Sequence, residues 1–449
     1  MKMRPAIYRL AAPLAGFVFF LSLSWLYGWG NPALYEDILR WYGVVPFRFP
    51  FVDISGSLAA WECARQGFDV ILADPCDVLR RGYSYSPLWM AASPIPLGVG
   101  DTMEVGWCLD LLFIGSLSLL PPPRHPVELV LVITATLSTM VVFALERANP
   151  DILLFMLALM AGLLAECRMS LRLIGYCVAL AAALLKYYPI MVLIIVFRER
   201  VSRFVATNIA IAGALALFWI VYHGEIARGL PTIPRGPYNT DLFAAKNLPF
   251  LLGEAVGNAA GPLVERAFAG TVYATLVGFC MVICRRLLGS GELSTALASL
   301  NGLERITLVI GSAVIGGCFF AGQSIGYRGV FLLLVLPGLL AISHRPASRD
   351  LRALGLGTSV VIVMLMWGEC LRLALYRALE LPGLPAIVAG PVKVSFWLIR
   401  ELGWWWTVSV MLTMLVDFLW GSPVLRWASS QFDRSIRGDG TSHHTTMTI

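Results

Sequence analysis

The sequence predicts an all-α, polytopic integral membrane protein. Of its 449 residues, 58% are hydrophobic and 14% are charged, a balance that excludes an ordinary soluble globular chain. Apolar runs long enough to cross a hydrocarbon core of about 30 Å recur from end to end, so no sizeable water-soluble domain remains. The net charge of +6 is modest and spread among the loops, so a nucleic-acid partner is not indicated.

The first apolar run, near residues 10–29, follows Lys2, Arg4 and Arg9. It lacks a small-residue cleavage site, so we interpret it as a retained signal anchor. Further crossings are predicted near residues 105–120, 127–145, 152–166, 204–222, 268–283, 306–321, 329–342, 354–371 and 404–420.

Residues 171–200, LRLIGYCVALAAALLKYYPIMVLIIVFRER, form either one long helix or two short helices broken between Lys186 and Pro189. The broken hairpin, with the amino terminus inside, makes the inside loops roughly twice as dense in Lys and Arg as the outside loops. The arm 173–185 reaches only about 20 Å as a helix. We therefore expect the corner to lie within the membrane and to line a polar cavity, since unpaired backbone is not tolerated against lipid.

This topology has about eleven or twelve transmembrane helices, counting the two short arms, in a single transmembrane domain over residues 1–420. It places loops 30–102, 223–266 and 372–403 outside. Both termini are then cytoplasmic, with a disordered tail at 421–449.

The segment FVDISGSLAAWECARQGFDV, residues 51–70, predicts a helix on the outer membrane surface that is opened by Asp53 and closed by Gly67. An ionised carboxylate there suits a general base that accepts a proton from a sugar or lipid hydroxyl. Aspartate is also a preferred N-cap residue, so the sequence leaves the two roles open. Cys63 and Cys76 follow Asp53, and spacing alone does not establish whether they pair.

Two elements supply cations for an anion site. Lys186 at the broken corner is costly within a membrane unless an anion meets it, and the phenols of Tyr187 and Tyr188 add donors. A short outer turn carries Tyr327 and Arg328, and arginine can hold a phosphate bidentately. The alternatives are a proline kink with a snorkelling lysine and a plain interfacial arginine.

Two further outer stretches contribute candidate substrate contacts. The turn ALERANPDILLF carries Arg147 and Asp151, although Asp151 is equally suited to capping the next helix. The stretch around Arg81 and Tyr85 is rich in Tyr, Trp and Pro, which is typical of an interfacial aromatic belt. The alternative is a wall that stacks against a sugar and binds a phosphate.

Taken together, these features resemble the polytopic glycosyltransferases of the C fold, and especially the bacterial polyprenyl-phosphate-mannose-dependent α-mannosyltransferases. The resemblance covers roughly the first two thirds of the chain. It is carried by the order of DISGSLAAWECARQGFDV, YSYSPLW, NPDILLFMLALMAG, LLKYYPIMVLIIVFR and YRGVFLLLVLP.

The resemblance implies a membrane enzyme, a hexosyltransferase of the cell envelope in the inner (plasma) membrane. Its donor would be a polyprenyl-phosphate sugar, its acceptor a hydroxyl of a glycan or glycolipid on the outer face, and its catalytic base Asp53. Lys186 and Pro189 fall where the family's donor pocket would lie. No cofactor is implied, and use of a divalent metal stays open. The alternatives from other classes are a lipid-linked sugar flippase or transporter and a polysaccharide polymerase.

Overall fold

The computed structural model describes residues 4–47, 49–233, 241–344, 348–380 and 386–436. Within these ranges the fold is all-α, which confirms the predicted class; the single β-type contact is an isolated bridge between Phe243 and Ser324. The α-helices are α1 (Arg4–Gly28), α2 (Pro32–Tyr42), α3 (Val52–Arg65), α4 (Thr102–Ser116), α5 (Pro126–Thr136), α6 (Thr139–Arg147), α7 (Pro150–Ala165), α8 (Met169–Leu185), α9 (Val201–Gly229), α10 (Asn247–Ala260), α11 (Pro262–Gly289), α12 (Glu292–Ala298), α13 (Gly302–Ala321), α14 (Leu332–His344), α15 (Arg349–Met366), α16 (Gly368–Leu379), α17 (Ala386–Trp420) and α18 (Pro423–Ile436).

Seven helices of the described chain are long and apolar enough to cross a membrane, and the count rises to nine when each of two bent helix pairs is one span. The bent pairs are α5 with α6, at 40°, and α15 with α16, at 65°. The sequence predicted single crossings over residues 127–145 and 354–371, and most of α16 falls in the predicted outer loop 372–403. α13 and α14 are almost wholly buried and form the centre of the bundle, with α17 packed beside α13.

The predicted break at Lys186 is confirmed. Helix α8 ends at Leu185, Lys186 is extended (φ −156°, ψ 123°), and a 3₁₀ segment runs over Tyr188–Arg198 and packs against α8. Proline cannot donate to a helical backbone bond, which explains why α8 does not continue. The Trp89 indole donates to the Leu185 carbonyl at 2.9 Å, so this freed backbone acceptor is paired.

Helix α3 begins one residue before Asp53 and ends before Gly67, whose φ of 86° is the left-handed conformation that glycine adopts easily. We expected α3 to lie on the membrane surface, but nine of its fourteen residues are buried. The chain from 66 to 98 folds back over α3 and is tied to it by Arg65, which donates to three carbonyls of that stretch. A disulfide joins Cys63 to Cys76 across the same junction.

The predicted loops and tail are more helical than expected. Loop 30–102 contains α2 and α3, and loop 223–266 contains α10. The tail expected to be disordered begins with the amphipathic helix α18, and residues 437–449 lie outside the described residues.

Candidate functional site

Five elements meet at one end of the helix bundle, which we call the Asp53 end. They are the start of α3, the chain that covers α3, the start of α7, the break after α8, and a 3₁₀ segment, Gly326–Phe331, that precedes α14. Their polar side chains form a charged cluster that comprises Asp53, Asp77, Arg81, Asn149, Asp151, Lys186 and Arg328.

Asp53 lies in the first turn of α3 and keeps 12% of its side chain exposed. Its Oδ2 accepts from the Asn149 amide at 2.6 Å, and its Oδ1 lies 3.4 Å from Arg81 Nη1. The residue that precedes α3, Phe51, has a left-handed φ of 67° and donates its N–H to the Glu146 carbonyl at 2.7 Å. Such a backbone is unfavourable for phenylalanine, so tertiary contacts hold the start of α3 and aim Asp53 at Asn149.

Asn149 links the acid to the cations. Its Oδ1 accepts from the Asp151 N–H at 2.9 Å and so caps α7, while its amide donates to Asp53. This asparagine lies in the turn ALERANPDILLF. The Asn-Pro pair does signal a helix cap, but a local motif does not reveal a partner 96 residues away.

Asp151 contacts two cations. It forms an ion pair with Lys186, and its Oδ2 lies 3.6 Å from Arg328 Nε. Asp151 is fully buried, whereas Lys186 and Arg328 keep 13% and 21% of their side chains exposed. The cations therefore present the accessible surface, and the acid lies beneath them as their counter-ion. The structure places Asp151 as a support of the two cations more readily than as a direct substrate contact.

Three tyrosines surround the Lys186 ammonium. Its Nζ lies 5.2 Å from the ring centre of Tyr85, 5.7 Å from that of Tyr327 and 5.8 Å from that of Tyr188. The Arg328 guanidinium lies 5.0 Å from the Tyr188 ring centre. Burial, and then the nearby Asp53 carboxylate, raise the pKa of Tyr85. Its phenol therefore stays protonated and is a hydrogen-bond donor.

Arg81 forms ion pairs with two acids of the cluster, Asp53 and Asp77. Its Nε donates to Asp77 Oδ2 at 2.8 Å, and its Nη2 donates to the Val52 carbonyl at 2.8 Å. This approach to α3 requires Gly56, where an added Cβ would lie 2.6 Å from Arg81 Nη2. Arg81 is still 38% exposed, so a ligand at Asp53 could reach it. Asp77 belongs to the site through its ion pair with Arg81.

Two predicted residues lie apart from the cluster. Arg147 pairs with Glu146 at 2.9 Å and lies over the Phe47 and Phe143 rings, so its charge is already compensated. Tyr187 lines a small cavity beside the cluster and is not among the three tyrosines whose rings lie around the Lys186 ammonium. That cavity shares one wall, Tyr85, with the charged cluster.

One group of metal-type donors stands out in the described ranges. Oxygen and sulfur atoms of Cys63, Asp74 and Cys76 lie within 4.8 Å of one another. The two cysteines form a disulfide, however, so their sulfurs are not the thiolates that bind metals. Asp37, another acid of the first outer loop, pairs with Arg40 on α2 and is 65% exposed.

Comparison of the chain with protein-family models, with curated proteins and with solved structures finds no match.

Proposed function

We propose that this protein is a membrane glycosyltransferase that moves a sugar from a polyprenyl-phosphate donor to a hydroxyl acceptor, with Asp53 as general base. The observation that carries the proposal is the Asn149 bridge. One asparagine side chain contacts both the Asp53 carboxylate and the helix start that bears Asp151, the partner of Lys186 and Arg328. A proton acceptor and a cation pair thus share one site.

The charge of the cation pair suits a sugar phosphodiester. Lys186 and Arg328 carry two positive charges and Asp151 one negative charge, which leaves an excess of one. A polyprenyl-phosphate sugar brings one negative charge, so its phosphate would neutralise that excess. Because buried charges need such compensation, this balance favours a monophosphate-linked donor.

The reaction then proceeds as a displacement at the anomeric carbon. The acceptor oxygen bonds to that carbon while the bond from the carbon to the phosphate oxygen breaks, and polyprenyl phosphate leaves with the bonding electrons. The acceptor proton passes to Asp53. Negative charge that builds on the leaving phosphate is stabilised by Lys186 and Arg328, which are already in place before reaction. Asn149 and Arg81 orient the base.

We assign the Asp53 end to the outer face of the plasma membrane. Lys and Arg density favours that orientation. The disulfide between Cys63 and Cys76 lies at the same end, and disulfides persist in oxidising compartments outside the cytoplasm. An acceptor on a glycan or glycolipid of the cell envelope would be accessible there.

The test is sugar transfer by the purified protein in lipid, supplied with polyprenyl-phosphate sugars and a mixture of envelope acceptors. Asp53→Asn should lower the rate by at least about 100-fold, because the amide no longer accepts the proton, while the melting temperature stays near that of the wild type. Asp37→Asn is the matched control, since it removes an exposed carboxylate from α2.

Full transfer activity in Asp53→Asn would remove Asp53 from the mechanism. The experiment also tests a lipid-linked sugar transporter, which would use cations at broken helices in the same way. Movement of labelled donor across the bilayer, with no transfer and no effect of Asp53→Asn, would favour the transporter.

A further inference from the structure

Helix α4 carries a completely buried acid, Asp110. It lies within Val99–Leu119, one of the segments that are long and apolar enough to cross a membrane. Its side chain has no exposed surface, and neither of its carboxylate oxygens accepts a hydrogen bond from a residue that the structure describes. An ionised carboxylate at such a position is costly unless a cation lies beside it. Asp110 therefore indicates a positive group that the described part of the chain does not supply.

A small cavity at the Asp53 end lies beside this acid. Its walls come from α1, α2, α4, α6 and the residue Phe51 that precedes α3. Met103 and Trp107 are the contribution of α4. Asp110 follows Trp107 by three residues, which places both on the same face of the helix. The unpaired carboxylate thus lies on the face of α4 that borders the cavity.

The charges around this cavity do not balance. Glu146 lines it, but Arg147 pairs with Glu146 at 2.9 Å and compensates its charge. Burial, and then the Glu146 carboxylate, raise the pKa of Tyr35, and the Asp110 carboxylate adds to that effect. Both acids are therefore within electrostatic reach of Tyr35, a phenol in the cavity wall. The two acids and Arg147 together leave an excess of one negative charge.

Much of the cavity wall is aromatic. Six rings border it: Phe19, Phe20, Tyr27, Tyr35, Phe51 and Trp107. The ring centres of Phe20 and Trp107 lie 5.9 Å apart, and those of Tyr27 and Tyr35 lie 5.3 Å apart. The face of an aromatic ring attracts a cation, and organic ammonium ions are recognised in this way. A small metal ion prefers a shell of oxygen ligands instead, so the wall favours the ammonium ion.

We propose that this cavity binds the ammonium group of a small organic cation, with Asp110 as its counter-ion and the aromatic rings around it. The cavity is small, which suits an ammonium group on a short chain. Most of α1 and of α4 is not buried inside the protein, so the ammonium can belong to the head group of an aminophospholipid as well as to a free amine. The inference does not depend on the proposed sugar transfer.

The experiment measures binding through the melting temperature. Full-length protein in nanodiscs of phosphatidylglycerol, a lipid without an amine, is titrated with ethylammonium in phosphate buffer. Sodium keeps the ionic strength constant, and ethanol is the neutral probe of similar size. We expect a saturable rise of the melting temperature with ethylammonium alone. Asp110→Asn should raise the concentration of half effect at least about tenfold, because a charged hydrogen bond is lost.

Trp107→Leu is a second variant, which keeps the test open if Asp110→Asn does not fold. It removes one ring of the wall and should raise the concentration of half effect about threefold. Two matched controls should respond like the wild type. Asp37→Asn removes an exposed carboxylate from α2, and Trp25→Leu removes an exposed ring from α1.

A response that the cavity variants weaken and the controls do not supports the proposal. No response of the wild type to ethylammonium, or a response that Asp110→Asn and Trp107→Leu leave unchanged, overturns it. Asp110 would then be a buried acid that stays protonated.

Nanodiscs that also contain phosphatidylethanolamine identify the source of the ammonium group. A higher melting temperature in these nanodiscs, absent in Asp110→Asn, assigns the site to a lipid head group. A response to ethylammonium without this lipid effect assigns it to a soluble amine, and both results support the proposal. Because the assay contains no sugar donor, its result is independent of sugar transfer by Asp53→Asn.

Discussion

Asp151 shows how a single buried acid can prepare a site for an anion. It is fully buried and contacts both Lys186 and Arg328, so it offsets much of the cost of desolvating two cations. It does not neutralise both of them. The remaining positive charge lies on the more exposed side chains, where a phosphate could approach.

This arrangement predicts that donor binding follows the net charge of the three residues. Lys186→Gln lowers that charge from one to zero, and we expect affinity for a polyprenyl-phosphate sugar in nanodiscs to fall at least about tenfold, the value of one charged hydrogen bond. Lys186→Gln with Asp151→Asn restores an excess of one through Arg328, and we expect it to recover part of the affinity.

The control for this series is Lys393→Gln, which removes a lysine that lies over Tyr376, at 4.5 Å from its ring centre. It should bind like the wild type. Donor affinity that is unchanged in Lys186→Gln, or a double variant weaker than the single one, would argue against a phosphate at this pair.

At the scale of elements, the site depends on a helix and the chain that covers it. α3 carries Asp53, and the stretch after it returns Arg81 and Tyr85 to the same acid. The disulfide between Cys63 and Cys76 closes that stretch with a sequence separation of 13 residues. The cover is thus linked covalently to the helix that bears the proposed base.

We therefore expect Cys63→Ala with Cys76→Ala to destabilise the protein and to loosen the cover. Loss of a disulfide that closes a loop of this length costs about 2–4 kcal/mol in unfolding free energy. The melting temperature in detergent and the rate of sugar transfer should both fall.

Cys177→Ala, at an exposed free cysteine, is the control for the loss of thiols as such. If the double variant had the melting temperature and the sugar-transfer rate of the wild type, the disulfide would have no part in holding Arg81 and Tyr85 over α3.

At the scale of the whole molecule, the proposed enzyme requires one orientation. The charged cluster and the disulfide both lie at the Asp53 end, so both must face the same side of the membrane. The opposite end includes the turn after α11, where Ser290 is exposed.

Labelling in intact cells tests this orientation. In a chain whose seven free cysteines are replaced by alanine, Asn258→Cys near the end of α10 should react with a membrane-impermeant maleimide. Ser290→Cys should react only after the cells are permeabilised. The reverse pattern would place Asp53 in the cytoplasm and exclude an outer-face acceptor.

Local patterns were sufficient for much of the fold. Continuous apolar runs predicted the spans, since crossing a hydrocarbon core requires them. The break at Lys186 followed from short arms, a proline and the distribution of basic residues. The bends within α5–α6 and α15–α16 were missed, because neither junction contains a proline and packing against neighbouring helices decides them.

The sequence by itself determined that this is a helical membrane protein, that the chain breaks at Lys186 after α8, and that Asp53 lies in the first turn of a helix, because hydropathy and chain chemistry act over a few neighbouring residues. Only the tertiary structure decided which charges meet. Asp53 accepts a hydrogen bond from Asn149, which lies 96 residues away in sequence. Lys186 pairs with Asp151, 35 residues away, whereas Arg147 pairs with its neighbour Glu146 and not with the cluster. In a low-dielectric interior each buried charge needs a partner. The packing of helices that are distant in sequence decides which partner it contacts.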